Sequence, residues 1–275
     1  MGNREDEKIE DKIAALNGLA SHERWMAYLD TVAQLPYMTA VKQQITELLE
    51  LHPGDSVLDA ACGTGDDVQA MAAYVGPTGR VVGLDIHEKT LIEARQRAEG
   101  LGLPIEFVRG DVQQMPFADD TFTCCRSERM LQHLPDPRRA LSELARVTQP
   151  GGRIVLYDTD WETLIVDASD ADTTRAILHA KRADVRQGWI GRQLMALMRE
   201  ASLHDITVIP STLILTDGPL AIALHELRPA ATLALQHGEI TQAQHDAWFA
   251  ELLLRHQEQR FFSAVTAFTV CGRKL

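Results

Sequence analysis

The sequence has no excess of positive charge: 27 lysines and arginines stand against 39 aspartates and glutamates, a formal net charge of -12. That field repels phosphate backbones, which argues against a sequence-independent grip on DNA or RNA and favours a small or cationic partner. No stretch reaches the ~18 apolar residues that a membrane span requires. The run from Asn3 to Lys12 is rich in charge and has no apolar segment behind it. Secretion and membrane insertion are therefore not expected, and the expected location is the cytoplasm. Cysteine is sparse as well. Cys62, Cys124, Cys125 and Cys271 show no C-x-x-C spacing, and the adjacent pair points to opposite faces of a strand rather than toward one metal. They read as reduced core residues, and no metal site is expected.

What is present is the composition of an ordinary globular protein, 45% hydrophobic and 24% charged over 275 residues. Two helices, Ile9 to Asn17 and Glu23 to Leu49, are predicted first, and an alternation of short apolar run, turn and amphipathic helix follows. Its runs are Ser56 to Ala60, Arg80 to Asp85, Ile105 to Arg109, Phe122 to Arg126 and Arg153 to Asp158. Helices start near Asp66, Glu88 and Pro137, and a mostly loop-like crossing runs from Gln113 to Asp120. This is the pattern of a parallel sheet wound with helices. Thr159 to Arg186 then reads as a helical insertion, followed by a helix from Trp189 to Ala201 and a strand from Asp205 to Leu215. Helical stretches Pro219 to His237 and Thr241 to His256 precede a last strand near Phe262 to Cys271, which pairs antiparallel at one edge.

The segment Val57-Leu58-Asp59-Ala60-Ala61-Cys62-Gly63-Thr64-Gly65-Asp66-Asp67 is a buried strand, a glycine turn and a helix start. Gly63 and Gly65 let the backbone bend tightly and approach a ligand across the strand ends. Asp85 closes the second strand 20 residues after Gly65, where an acid holds a ribose diol in nucleotide-binding folds. Asp111 closes the third, so Asp59, Asp85 and Asp111 are spaced 26 and 26 and line one crevice. A dinucleotide would lay its pyrophosphate on the first helix start, where Asp66 and Asp67 oppose it and Val68 replaces the third glycine of the fingerprint. S-adenosylmethionine carries the adenosine without phosphate, and its ammonium and sulfonium suit carboxylates.

These residues resemble class I S-adenosylmethionine-dependent methyltransferases, especially the group of ubiquinone and menaquinone C-methyltransferases and natural-product methyltransferases. The likeness runs from about Val57 to Asp158. It is carried by the glycine turn, Gly83-Leu84-Asp85, Gly110-Asp111-Val112 with Met115-Pro116-Phe117, and Leu144-Ala145-Arg146-Val147-Thr148-Gln149-Pro150-Gly151-Gly152. It implies a Rossmann-like, doubly wound α/β sheet, mostly parallel with an antiparallel edge strand and helical insertions forming a lid. Residues 1–50 would form a helical cap and 51–160 the cofactor-binding core. Residues 161–275 would complete the sheet at about 189–215 and 261–272, with substrate or lid insertions at about 161–186 and 219–256. Asp59, Ala61, Gly63 and Gly65 are implied beside the methionine half, Asp85 and Ile86 at the ribose, Asp111 and Val112 at the adenine, and Ser127 after the fourth strand near the amino group. Ala61 departs from the glycine more usual there. Tyr28 and Trp161 are placed to face the sulfonium or to pack as ordinary aromatics.

Methyl transfer from a sulfonium needs alignment above all, and a base only when the attacking atom must lose a proton. Candidates follow strands four and five: His133, Asp158 and Asp160 for acid–base work, with Arg129 and Trp161 on the acceptor side. Each has a plain structural alternative, as a helix-end histidine, loop-fixing aspartates or packed side chains. The only asparagines are Asn3 and Asn17, which removes both the aspartate–asparagine metal cluster of catechol methylation and the Asn-Pro-Pro-Tyr motif of adenine and glutamine methylation. The expected acceptor is a small, partly apolar molecule, a natural product or quinone-like metabolite. Apolar positions between 219 and 256 are mostly core, with a remainder for a lid or a homodimer face. Two rivals on related folds are a non-methylating enzyme that retains S-adenosylmethionine, such as a cyclase, and an NAD-linked oxidoreductase.

Overall fold

A computed structural model describes residues 30–275. Tyr28, the helix predicted at Ile9 to Asn17 and the start of the next lie outside the described residues. After helix α1 (Pro36–Leu49) come β1 (Ser56–Ala60), α2 (Asp66–Val75), β2 (Arg80–Asp85), α3 (Glu88–Ala98), β3 (Ile105–Arg109) and β4 (Phe122–Glu128). A short 3-10 turn, Leu131–His133, leads to α4 (Pro137–Val147), β5 (Thr148–Val166), α5 (Ala171–Asp184), α6 (Ile190–Glu200) and β6 (Leu203–Leu215). Helices α7 (Gly218–Leu224), α8 (Leu227–Gln236) and α9 (Gln242–Gln257) precede β7 (Ser263–Lys274).

The seven strands form one sheet in the order β3-β2-β1-β4-β5-β7-β6. β1 pairs in parallel with β2 and β4, β2 with β3, and β4 with β5; β7 and β6 complete the sheet with an antiparallel edge. Strand order reverses between β1 and β4, and a doubly wound sheet opens a ligand crevice at the carboxyl ends of strands at such a switch point. Val57, Leu58, Ala60, Val81, Val82 and Leu84 are fully buried, as expected of parallel strands covered on both faces. Gly65 holds the left-handed conformation (φ 77°) that starts α2, and a Cβ there would lie 2.7 Å from the Phe107 ring, so both backbone and packing require glycine.

The chain divides into two compact units. A sheet unit contains Lys42–Thr159, Trp189–Ser211 and Ala267–Leu275; a helical unit contains the described residues up to Val41, Asp160–Gly188 and Thr212–Thr266. The sheet unit is built on Leu58, Leu84, Phe122, Leu141, Leu144, Ile154 and Leu156, all fully buried. In the helical unit, Trp248 is 2% exposed and donates from Nε1 to Thr174 Oγ1 at 2.9 Å.

Four elements differ from their sequence-based expectations. β5 runs on to Val166 instead of ending at Asp158, because Thr163 to Val166 is rich in β-branched residues and alternates in burial, with Leu164 buried and Ile165 exposed. The helix of that insertion is only α5, started by Asp170, whose side chain accepts from the Asp172 and Thr173 amides. The stretch Pro219 to His237 breaks into α7 and α8 at Glu226, whose φ of 52° no helix interior admits. β4 extends to Glu128, so Ser127 lies within the strand and not after it.

Candidate functional site

The turn after β1 is built from left-handed residues: Ala61, Gly63 and Gly65 have φ of 64°, 55° and 77°. The Ala61 and Cys62 amides donate to the Leu84 carbonyl at 2.7 and 3.0 Å, tying the turn to the end of β2. Asp85 completes the tie. Its Oδ2 accepts from the Gly63 amide at 3.1 Å and its Oδ1 from the His87 amide at 2.9 Å. Each oxygen keeps acceptor capacity beyond that one bond, the chemistry a ribose diol asks for. Ile86 next to it is 53% exposed, Val112 is buried, and Asp111 accepts from the Gln113 amide at 2.8 Å.

The three acids are not at equivalent strand ends. Register pairs Asp59 with Gly83 and Gly83 with Phe107, so Asp85 and Asp111 each stand two residues further along than the acid before. They follow a diagonal, with Asp59 deepest at 2% exposure. Asp59 is faced by Arg126 of β4, 3.7 Å from Nε to Oδ1. Arg126 is itself 3% exposed and also pairs with Asp67 at 2.8 Å and Glu128 at 2.9 Å. Burial pushes the Asp59 carboxyl up to about 7 against the pull of Arg126. Asp67 goes the other way. Burial opposes its ionisation, yet the Arg126 and Lys42 charges hold it well below the usual carboxylate range, with Lys42 Nζ 2.9 Å from both oxygens.

That network corrects the sequence argument about phosphate. Asp67 is neutralised by Lys42 and Arg126, and Asp66 takes the Thr64 hydroxyl at 2.7 Å and Arg97 at 3.3 Å. The helix start is therefore not the bare negative turn that the sequence suggests, and the repulsion of a dinucleotide there is weaker than its two aspartates imply.

At the carboxyl end of β4, Ser127 Oγ donates to the Ala60 carbonyl at 2.7 Å, and Arg129, with φ of 50°, donates its amide to Tyr157 O at 2.7 Å. Asp158, 2% exposed and one residue past the Tyr157 that pairs with Glu128, accepts the Leu131 amide on Oδ2 at 3.0 Å, with the Gln132 amide adding to its hold. Its Oδ1 is buried without a hydrogen-bond partner, and burial, opposed by those amides, pushes the carboxyl up to about 8. His133, the exposed last residue of the 3-10 turn, follows directly on the two residues that Asp158 anchors.

Asp160 and Trp161 belong to the helical unit. Asp160 is 1% exposed and fixes the chain locally, its Oδ1 accepting the Glu162 amide at 3.2 Å and its carbonyl the Thr163 hydroxyl at 2.7 Å. Lys181 Nζ lies 4.5 Å over the Trp161 ring and 2.6 Å from Glu226 Oε2. His225 is 1% exposed, 3.4 Å from Ser263 Oγ, and burial with the Lys181 charge lowers it to about 4, so it is neutral. Sequence reasoning missed Lys181, His225 and Arg126. An arginine inside the apolar run Cys124-Cys125-Arg126-Ser127 was the available sign of the last; the other two carry none in their local pattern. Among the described residues no group of three or more histidines, cysteines or acids is placed to hold a metal, and no helix is long and apolar enough to cross a membrane.

The family described as methyltransferase domain matches residues 58–156, the stretch holding the glycine turn, the three acids and β4. An uncharacterized 37.1 kDa protein in transposon Tn4556 of Streptomyces fradiae is 35% identical over 249 residues, 90% of this chain and 71% of that protein. Demethylmenaquinone methyltransferase of Bacillus cereus is 33% identical over 160 residues, 58% of this chain and 62% of the enzyme, so the match spans less than two thirds of that relative. Among solved structures, the YcgJ protein of Bacillus subtilis shares the fold with a TM-score of 0.61 at 20% identity, covering 86% of this chain and 98% of that one.

Proposed function

This chain belongs to the class I S-adenosylmethionine-dependent methyltransferases, and we propose that it methylates a small, partly apolar acceptor, a natural product or quinone-like metabolite. The cofactor supplies a methyl group already activated on a sulfonium. The residues fit it: the turn at Ala61, Gly63 and Gly65 presents backbone with no side chain longer than a methyl, and Asp85 keeps lone pairs beside it. In this reading Asp85 and Ile86 hold the ribose, Asp111 and Val112 the adenine, and Asp59, Ala61, Gly63, Gly65 and Ser127 flank the methionine half.

The observation that carries the acceptor side is Asp158. A buried carboxyl with one oxygen anchored and the other unpartnered is completed by a polar atom of a bound molecule, because an unmet buried polar group costs about 1–3 kcal/mol. With its proton retained near neutral pH, Asp158 donates to an acceptor oxygen and fixes its direction. The anchored turn presents His133, which takes a proton when the acceptor must lose one. Arg129, Asp160 and Trp161 are proposed on the acceptor side, Asp160 as a further acid–base candidate. The net charge of -12 supports a partner other than nucleic acid, and a cytoplasmic homodimer is the proposed state.

Purified protein incubated with labelled S-adenosylmethionine and a panel of quinols and phenols tests this reading. One S-adenosylhomocysteine per methylated product is expected. Conversion of an acceptor with no S-adenosylhomocysteine formed would instead indicate the cyclase alternative, and saturable NAD binding the oxidoreductase.

A further inference from the structure

Three carboxylates from three elements converge on one guanidinium. Asp59 comes from β1, Asp67 from α2 and Glu128 from β4 itself, around an Arg126 that is 3% exposed. Nη1 and Nη2 have partners at 2.8 and 2.9 Å, whereas the buried Nε–H makes no hydrogen bond. Asp59 stands 3.7 Å from it, about an ångström short of a charge-assisted bond. A buried donor left unmet is costly, and a cluster designed only to staple β1 to β4 would close that gap. The unclosed contact involves the acid of the strand that carries the glycine turn.

We propose that Arg126 is a positioning residue for the cofactor's methionine end, acting through Asp59: it draws the Asp59 carboxylate into the ionised, oriented form that meets the cofactor's cationic groups. The proposal rests on the reading that Asp59 flanks that half of the cofactor. Its electrostatics follow from the groups that face Asp59. Glu128 of β4 and Asp67 of α2 disfavour its charge, Arg126 and Lys42 of α1 favour it, and the Cys62 thiol in the turn is held neutral by burial. Burial, against the pull of Arg126, raises Asp59 to about 7, so it is divided between its two forms near neutral pH. A cation placed beside it selects the ionised form and expels the proton. Binding is then tighter above about pH 7 and weakens as pH falls below it, by up to about tenfold per unit.

Calorimetric titration of S-adenosylhomocysteine into the full-length protein, in two buffers of different ionisation enthalpy between pH 5.5 and 8.5, reads affinity and proton release together. Wild type is expected to release about half a proton at pH 7, with affinity level above pH 8. Asp59→Asn should abolish the release, which identifies Asp59 as its source. Arg126→Met should weaken binding at pH 7 at least tenfold and move the pH midpoint up by about one unit or more, whereas Arg126→Lys should restore the midpoint and not the full affinity. Should Arg126→Met fail to fold, the wild-type, Asp59→Asn and Arg126→Lys titrations decide alone. No proton release from wild type, release that persists in Asp59→Asn, or an Arg126→Lys profile matching wild type in affinity and midpoint would overturn the proposal. Wild type that binds no S-adenosylhomocysteine at any pH would remove the cofactor-site reading itself.

Discussion

The sheet unit and the helical unit each take a basic side chain almost wholly out of water, and they compensate for it with different partners. Arg126 in the sheet unit meets three carboxylates, all at least partly buried. Lys181 in the helical unit, equally buried, has one carboxylate, Glu226, that is itself 59% exposed on its side chain, and covers its other face with the Trp161 ring beside a neutral His225. Among the described residues the buried side-chain atoms that lack a hydrogen-bond partner, Arg126 Nε and Asp158 Oδ1 included, lie in the sheet unit. The helical unit satisfies its buried polar groups internally, with Trp248 on Thr174 and His225 near Ser263. The unmet atoms of Arg126 and Asp158, on the adjacent strands β4 and β5, are placed for a ligand to complete, whereas those of Gln44, Gln69 and Thr269 lie on α1, α2 and β7; met ones hold a fold together.

The contrast is broken most forcefully in the helical unit. Trp248→Ala removes a side chain 2% exposed and its bond to Thr174, and a loss of about 3–5 kcal/mol in unfolding free energy is expected by denaturant titration. A loss under 1 kcal/mol would mean that this unit is not held by its core, and the division between binding and holding would fail.

In the sheet unit the corresponding change acts on binding. Asp85→Ala should weaken S-adenosylhomocysteine by about 1–3 kcal/mol, since charged hydrogen bonds are lost. The Gly63 and His87 amides also lose their acceptor, so a stability measurement accompanies the isotherm. Unchanged affinity in a folded variant would take Asp85 out of the site.

How much of this was readable from the sequence follows the same divide. β1, β2 and β3 have the bounds their apolar runs predict: β1 and β2, buried on both faces, are written as continuous hydrophobic stretches ended by turns, and the edge strand β3 is a half-buried run, Ile105 to Arg109. The 26-residue spacing of the acids was visible, but not the register that sets them on a diagonal. Asp66 and Asp67 read as unpaired negative charge because Lys42, Arg97 and Arg126, which neutralise them, are 25 or more positions away. Beyond Asp158 the signal fades for a different reason. Thr159-Asp160-Trp161-Glu162 looks too polar for a strand, and its backbone pairing depends on neighbours that local pattern does not encode. Nothing near Glu226 marks the left-handed residue that parts α7 from α8.

Asp158 sharpens the comparison through pH. Its folded-state carboxyl is raised to about 8, so the stabilisation that accompanies its proton is fully present below about pH 4 and is lost as pH rises through 8. Asp59 adds in the same direction up to about 7. Asp158→Asn keeps an acceptor for the Leu131 amide and cannot ionise. Its unfolding free energy should therefore fall less between pH 4 and 8 than that of wild type, by about 1–2 kcal/mol after allowance for relaxation around the buried charge. Equal slopes in the two proteins would show that Asp158 ionises freely, and its place as a neutral donor would go.

The smallest expected effect concerns Ala61, where a methyl group sits on a residue with φ of 64°. The left-handed conformation costs a non-glycine residue roughly 1–2 kcal/mol. Against that, glycine has more backbone freedom to lose on folding, about 0.5–1 kcal/mol, and the Ala61 methyl packs against the sheet core. The terms nearly cancel, with the strain slightly larger, so Ala61→Gly should stabilise the protein by about 0.5 kcal/mol. Because the Ala61 amide already donates to Leu84 O at 2.7 Å, the turn keeps its shape and S-adenosylhomocysteine affinity should stay within about twofold. Denaturant midpoints with unchanged slope measure the first quantity and the isotherm the second. A destabilised variant would show that the methyl is retained for packing. A stabilised variant with much weaker binding would show that the strained turn serves the cofactor, which would tie backbone strain to the same unit that already holds the unmet polar atoms.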